Sequence, residues 1–245
     1  MATGKTDSNA MFGGSKLSSL EDDFTYGVTV AQTNIKIRLG FLRKVYGILT
    51  AQLALTIIVA GIFMYTESIK GFVQARPEFL MVAFILSIGL LIGLMFKRKE
   101  HPTNMYLLLA FTLAEAYTVG TLVTFYDQAL VLEAFVLTVA TTMALTMYTL
   151  QSKKDYSSWG AGLFSLLWIL ILAGFLQFFF HSETFELLYA IAGALLFSAF
   201  IVFDTHMLMH KLSPEEYILA SINLYLDMIN LFIEILRILN SMKKN

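Results

Sequence analysis

The chain has 245 residues, of which 57% are hydrophobic and 14% are charged, and its formal net charge is -1. Soluble domains carry roughly a quarter charged residues, so this composition predicts an integral membrane protein. The near-neutral charge gives no reason to expect a nucleic acid partner. The absence of cysteine excludes disulfides, thiolate metal sites and cysteine nucleophiles.

Residues 1–44 are predicted to form a flexible cytosolic tail. This segment is polar, rich in Ser, Thr and Gly, and carries an acidic run at 21–23. Its last part, residues 35–44, has the pattern of an amphipathic basic helix at a membrane surface. The tail lacks the apolar core of a cleaved signal peptide, so the first hydrophobic segment is expected to direct insertion.

Seven apolar runs follow, each close to the roughly 20 residues that a spanning helix needs. All three prolines fall between these runs, and the connections are short. The prediction is therefore an all-α, polytopic seven-helix bundle over residues 45–240, followed by a short basic C-terminal tail at 241–245. The predicted spans are 45–65, 79–96, 105–126, 129–150, 160–180, 185–209 and 217–239.

Basic residues near the spans indicate the orientation of the chain. The loops on one side contain only Lys70 and Arg76, so the opposite, strongly basic side and the N-terminus are predicted to be cytosolic. A fully spanning seventh segment would place Arg237, Lys243 and Lys244 on the non-cytosolic side, against this rule. A re-entrant seventh segment would return them to the cytosol, and the sequence leaves both alternatives open. The basic residues of the cytosolic side are Lys36, Arg38, Arg43, Lys44, Lys97, Arg98, Lys99, Lys153, Lys154 and Lys211.

The seventh apolar segment carries a stripe of polar residues. Their spacing of 4, 3, 4 and 3 positions puts them on one helix face: Asn223, Asp227, Asn230, Glu234 and Arg237. Charged side chains at membrane depth normally face protein or water, so this helix is predicted to be central in the bundle. Glu234 and Arg237 are expected to pair with each other.

A further acid, Asp204, lies near the end of the sixth segment. The short turn at 212–214 would bring Asp204 and Asp227 towards one another in a dry place. Two carboxylates there share a proton, bind a cation, or do both. The alternative is that both are structural, each neutralised by hydrogen bonds to a neighbouring helix.

Other polar residues in the spans have structural explanations beside functional ones. Glu115, in the third span, is either part of an ion path or the partner in one interhelical hydrogen bond. Glu133 is explained by stabilisation of the start of the fourth helix, with an outer vestibule role as the alternative. His206 and His210 share a helix face and are predicted to be interfacial rather than metal ligands, because no further ligand accompanies them.

The sequence SINLYLDMINLF at 221–232 resembles the S-L-Y-L-D-x-I-N-L-F signature of the transmembrane Bax inhibitor motif family. Asp204, in the sequence VFDT, matches the aspartate near the end of that family's sixth helix. The resemblance covers about residues 20–243 and is greatest to the Lifeguard branch of the family. Further matching stretches are FLRKVY at 41–46, LEAF at 132–135, YTLQSKKD at 148–155 and HKLSPEEY at 210–217.

The resemblance implies a calcium leak whose seventh helix is enclosed by the other six. In the family the paired aspartates are linked to pH sensing and closure, and a basic residue ending helix two latches onto the helix-six aspartate. The matching position here is Lys97, with Arg98 as the alternative latch. The resemblance also implies Golgi or endoplasmic reticulum membranes, and suppression of apoptosis through lowered luminal calcium.

Together, these observations predict a non-enzymatic, pH-sensitive calcium leak channel in the lipid bilayer, with calcium as transported ion and no cofactor. Asp204 and Asp227 are the predicted pH sensor and gate, and a weak calcium site. One alternative is an anti-apoptotic interaction protein without transport, acting on apoptosis-regulating membrane proteins or calcium-release channels. Another is a proton-coupled calcium antiporter. The candidates for the ion pathway are Glu115, Glu133, Asn223, Asn230 and Glu234.

Overall fold

The computed structural model describes residues 29–177, 179 and 182–244. Over these residues the chain is helical, without a strand, which confirms the predicted all-α class. Two short 3-10 turns, Val30–Gln32 and Ser157–Trp159, accompany the α-helices. The α-helices are α1 (Ile35–Tyr65), α2 (Glu67–Ala75), α3 (Pro77–Lys97), α4 (Thr103–Val123), α5 (Gln128–Gln151), α6 (Gly160–Leu176), α7 (Glu183–His210) and α8 (Tyr217–Lys244).

Seven helical segments of the described chain are long and apolar enough to cross a membrane, as the sequence predicted. They are all the α-helices except α2, with α6 counted together with the 3-10 turn that precedes it. The first of them, α1, has 31 residues and includes residues 35–44, so the basic segment before the first span continues directly into it. At about 1.5 Å per residue, a helix of this length exceeds the roughly 30 Å hydrocarbon layer, so the basic first turns extend beyond it. The acidic run at 21–23 lies outside the described residues.

Local sequence signals account for several helix ends. The Asn34 side chain accepts a hydrogen bond from the Lys36 N–H at 3.2 Å, and the Asp127 side chain accepts one from the Ala129 N–H at 3.0 Å. Both are caps that satisfy donors left free in a first turn. Pro77 stands at the first position of α3, where its missing N–H costs nothing.

Three connections meet at one end of the bundle, which we call the basic end. Arg98, just after α3, pairs with Glu216 in the α7–α8 connection at 3.2 Å. Asp155, between α5 and α6, lies 3.9 Å from the amino group of Lys211, just after α7. These contacts place the α3–α4, α5–α6 and α7–α8 connections together, as alternating antiparallel helices require.

The last helix, α8, traverses the whole bundle. Near its start, the Lys44 amino group lies 5.1 Å from the centre of the Tyr217 ring at the basic end. Near its last turn, Lys243 pairs at 2.7 Å with Asp127 in the α4–α5 connection, which belongs to the opposite end. Because α8 is a single uninterrupted helix through residue 244, the re-entrant alternative does not describe this structure.

The prediction of a central seventh span is confirmed. α8 packs against α1, α4, α5 and α7, while α3 packs on α4 and α6 packs on α7. Of the seven candidate spanning segments of the described chain, α8 is the most enclosed, because more than half of the residues in its most apolar stretch are buried. One side of α8 therefore forms the bundle core, and its polar stripe is turned towards α7 and α6.

Candidate cation pathway along α8

Asp204 of α7 and Asp227 of α8 meet across the interface between their helices. Their carboxyl groups make a side-chain hydrogen bond with each other, which requires a proton on one of them. The Asn223 amide donates a second hydrogen bond to Asp204 Oδ1 at 3.3 Å. Asp227 is only 6% exposed. The structure therefore brings together the two acids that the sequence singled out, in a place where they can share one proton.

A cavity of about 630 Å³ extends from this pair between α6, α7 and α8. Tyr189 and several phenylalanines form its apolar wall. Its polar wall is the stripe predicted from the sequence together with the α7 acid: Asp204, Asn223, Asp227, Asn230 and Glu234. Carboxylate and amide oxygens therefore follow one another along the length of α8, as in a site for a hard cation.

A smaller cavity of about 180 Å³ lies towards the basic end. Its lining includes Leu212 in the α7–α8 connection and Leu219 in the first turn of α8. Asp204 and Asn223 line this cavity as well as the larger one. The Asp204–Asn223 contact therefore lies between the two cavities.

Glu234 and Arg237 form the predicted pair near the other end of the larger cavity. Arg237 Nη1 lies 3.6 Å from Glu234 Oε2, and the guanidinium carbon lies 5.5 Å from the centre of the Tyr189 ring. The side chain of Tyr126 lies near Arg237 as well. Glu234 is buried, with 6% exposure, so its charge depends on this partner.

The expected latch between Lys97 and Asp204 is not formed in this structure. The Lys97 amino group instead lies 2.8 Å from both carboxylate oxygens of Glu100, one turn further along the chain, and both side chains are about half exposed. The alternative latch residue, Arg98, pairs with Glu216 rather than with Asp204. The physical reason is local: each base at the end of α3 finds a nearer carboxylate in the connections of the basic end.

Two predicted pathway residues lie away from the cavity. Glu115 lies near Ser87 of α3, whose hydroxyl donates to the Phe84 carbonyl at 3.0 Å. Glu133 is exposed in the second turn of α5. Neither residue lines the cavities described above, so the polar column consists of residues from α7 and α8.

The two histidines of the predicted interfacial pair lie near the basic end, where His210 is exposed and His206 is enclosed by protein. His206 is buried, with 5% exposure, and its Nε2 lies 2.9 Å from Asp155 Oδ1. Its ring stacks on that of His210 at a centroid distance of 4.4 Å. Among the described residues no group of three or more His, Asp or Glu side chains could hold a metal ion.

Sequence reasoning did not single out Asp155. Hydrogen bonds from Ser157 hold the pKa of this carboxyl group well below its usual range, and His206 and Lys211 lower it further. An Asp two residues before a Ser is a common turn signal, so the contact with Ser157 could have been found from the sequence. The contact with His206 could not, since it joins two segments 51 positions apart.

A second buried polar network also escaped prediction. It joins α1 to α4 and α8: the Gln52 amide donates to the Thr112 hydroxyl at 3.1 Å, and the Thr56 and Tyr225 hydroxyls lie 2.8 Å apart. Gln52 is 4% exposed. A glutamine within a long apolar segment was the feature of the sequence that could have indicated this network. Such bonds fix the register of neighbouring helices where apolar surfaces alone give little direction.

The family model described as Inhibitor of apoptosis-promoting Bax1 matches residues 38–244. The chain belongs to this Bax inhibitor family. The match confirms the family suggested by the signature at 221–232, and it covers all eight helices except the first three residues of α1. The paired acids and the cavity described above therefore lie within the part of the chain that the family shares.

Individual relatives are similar to this Bax inhibitor family member over almost their whole length. Protein lifeguard 4 from Mus musculus is 53% identical over 227 residues, 93% of this chain and 95% of that protein. Golgi anti-apoptotic protein from vaccinia virus (strain Lister) is 52% identical over 230 residues, 94% of this chain and 97% of that protein. Bax inhibitor 1 from Schizosaccharomyces pombe is 43% identical over 225 residues, 91% of this chain and 85% of that protein.

Proposed function

We propose that this Bax inhibitor family member suppresses apoptosis from Golgi membranes as a pH-sensitive calcium leak. The anti-apoptotic role and the Golgi membrane are supported by Golgi anti-apoptotic protein, whose name states both and which is 52% identical over 94% of this chain. The endoplasmic reticulum is a further proposed location. Calcium as the ion and protons as the regulator are supported by the chemistry of α7 and α8.

The observation that carries the transport proposal is the row of oxygen-bearing side chains along the cavity. Asp204, Asp227 and Glu234 supply carboxylates, and Asn223 and Asn230 supply amides. Buried ionisable residues in spanning helices are costly, and they commonly mark ion pathways. Calcium prefers oxygen ligands in flexible arrangements. A site with only a few carboxylates holds calcium weakly enough to release it.

Proton regulation follows from the contact between the two aspartates. In the hydrogen-bonded state the pair holds a proton and carries at most one negative charge. When both groups ionise, they repel each other at short range, and they attract a divalent cation more strongly. The protonation state of the pair therefore sets both the packing of α7 on α8 and the affinity for calcium.

A proton-coupled calcium antiporter is the second candidate function, and the same shared proton favours it. An antiporter would release a proton from the pair for each binding of calcium. It differs from a leak because calcium flux would then require a counter-gradient of protons. An interaction protein without transport is the remaining alternative.

Calcium flux in proteoliposomes of the purified protein tests these alternatives. We expect flux above that of protein-free vesicles, lowered by Asp227→Asn and unchanged by Glu133→Gln. The second substitution is a matched control because it also replaces an acid in a spanning helix by its amide, but on an exposed face. Flux without a proton gradient supports the leak, flux only with one supports the antiporter, and its absence supports the interaction protein.

A further inference from the structure

We propose that Arg237 closes the larger cavity at the end opposite to the aspartate pair. Its guanidinium group acts as a tethered plug, held at that end by its ion pair with the carboxylate of Glu234. This inference rests on the proposed function in one respect, since it names the residue that regulates the same path. It places a second gate at the end of the bundle where Lys243 meets Asp127.

Residues from three parts of the chain hold the guanidinium group in place. Glu234 of α8 pairs with it at 3.6 Å, and the ring of Tyr189 on α7 lies 5.5 Å away. The side chain of Tyr126, between α4 and α5, lies near it. A cation that is paired with a carboxylate and stacked on an aromatic ring has a defined position. Arg237 therefore ties α8 to α7 and to the α4–α5 connection.

The ion pair of Arg237 with Glu234 can close the larger cavity because Glu234 is part of the cavity wall. Glu234, Tyr189 and Asn230 line the cavity, and Asn230 lies one helical turn closer to the aspartate pair. On its other side the Glu234 side chain packs against Gly193 of α7, where an added Cβ would lie only 2.8 Å from Glu234 Cγ. The carboxylate is thus confined between α7 and Arg237.

The positive charge of Arg237 opposes the entry of cations into the cavity. While Arg237 is in place, the Glu234 carboxylate is neutralised and a fixed positive charge faces an approaching cation. Arginine side chains exclude cations from pores in this way. Removing the guanidinium leaves a buried carboxylate without a partner, which favours an incoming cation. Lysine would keep the charge but lose the planar group that stacks on Tyr189 and binds two partners at once.

Cysteine accessibility tests the plug without measuring ion flux. The natural chain has no cysteine, so Asn230→Cys introduces a single thiol in the cavity. The full-length variant in lipid nanodiscs is treated with a membrane-impermeant trimethylammonium methanethiosulfonate, and the labelling rate is measured. Adding Arg237→Gln should raise the rate on the order of tenfold, the lower end of what a charge at a cleft mouth does to local ion concentration.

Three further variants make the result specific. Arg237→Lys should give a rate between those of the parent and Arg237→Gln. Tyr126→Phe keeps the charge of Arg237 but removes a hydroxyl group near it, so it should raise the rate less than Arg237→Gln does. Lys243→Gln removes another basic residue at the same end and should leave the rate unchanged. Equal rates with Arg237, Arg237→Gln and Tyr126→Phe would overturn the plug, as would an equal increase with Lys243→Gln.

Calcium flux in the same variants separates this inference from the proposed function. If labelling depends on Arg237 but no variant carries calcium, the plug stands as the closure of the cavity and the leak is refuted. If the parent carries calcium and labelling is independent of Arg237, the leak stands and the plug is refuted.

Discussion

Asp204 and Asp227 share a hydrogen bond between their carboxyl groups, although each comes from a different spanning helix. The contact exists only while α7 packs on α8. Both acids line the larger cavity, and Asp204 also lines the smaller one. A proton taken up or released at this pair therefore changes the charge at the helix interface and in the larger cavity at once. This relationship gives the proposed leak a physical basis for sensitivity to pH.

Replacing either aspartate should change the pH dependence of calcium flux. Asp204→Asn and Asp227→Asn each remove one member of a coupled titration, and the double variant should lose more of the dependence than either single variant. Flux is measured in proteoliposomes from about pH 5 to pH 8, the range in which native proteins are usually most stable. A double variant that keeps the parental pH profile would show that the pair is not the sensor.

At the basic end, Arg98 should matter more than Lys97. The Arg98–Glu216 pair joins α3 to the α7–α8 connection and is partly buried, whereas Lys97 pairs with Glu100 within one exposed turn. Arg98→Gln should therefore lower the free energy of unfolding by about 1 kcal/mol and raise the leak at neutral pH, while Lys97→Gln has almost no effect. Thermal unfolding in detergent and calcium flux provide the measurements. A larger effect of Lys97→Gln would support the original latch to Asp204.

Local sequence was sufficient to predict the spanning helices and the contact between Asp204 and Asp227. Hydrophobic runs fixed the seven spanning helices, and a short turn after Asp204 left little freedom in where Asp227 would lie. The partners of long side chains were less predictable, because Lys97 reaches Glu100 as easily as a neighbouring helix. The burial of His206 depends on Asp155, which belongs to another connection. The helix α2 was not predicted, because a helix of nine residues is too short to show the pattern of a spanning segment.

The two ends of the chain should lie on opposite sides of the membrane. α8 runs from the basic end to the Asp127 end without interruption, so a tag after Asn245 should be luminal when the N-terminus is cytosolic. Antibodies to both ends, applied after selective permeabilisation of the plasma membrane, should detect the N-terminal tag alone. Both tags become accessible once all membranes are permeabilised. Detection of both tags in the first condition would contradict a spanning α8.

Asp155 should keep its contacts well below neutral pH. Its hydrogen bonds to Ser157 lower the pKa of the carboxyl group in the folded protein. A lowered folded-state pKa means that the stabilisation is fully present above the ordinary value of about 3.9 and is lost only as pH falls through the lower folded-state value. Asp155→Asn should therefore lower the thermal midpoint at pH 5 at least as much as at pH 7. A difference that disappears at pH 5 would refute this assignment.

Gly193 should be required for the packing of α7 on Glu234. A Cβ at this position would lie 2.8 Å from Glu234 Cγ and 2.9 Å from Cδ, whereas at Gly162 a Cβ would meet nothing within 4 Å. Both substitutions to alanine gain the same intrinsic helix preference, up to about 1 kcal/mol, so their difference isolates the close contact. Overpacking of a tight interface costs about 1–3 kcal/mol, and we expect Gly193→Ala to be less stable than Gly162→Ala by this amount.

Thermal unfolding in detergent measures this difference, and a double-mutant cycle assigns it to Glu234. Combining Gly193→Ala with Glu234→Ala removes the atoms that the new methyl group meets, so the cost of the glycine substitution should largely disappear. If Gly193→Ala and Gly162→Ala are equally stable, Glu234 moves aside freely and is not confined by α7. A cost that persists without the Glu234 side chain would place the clash elsewhere on α8.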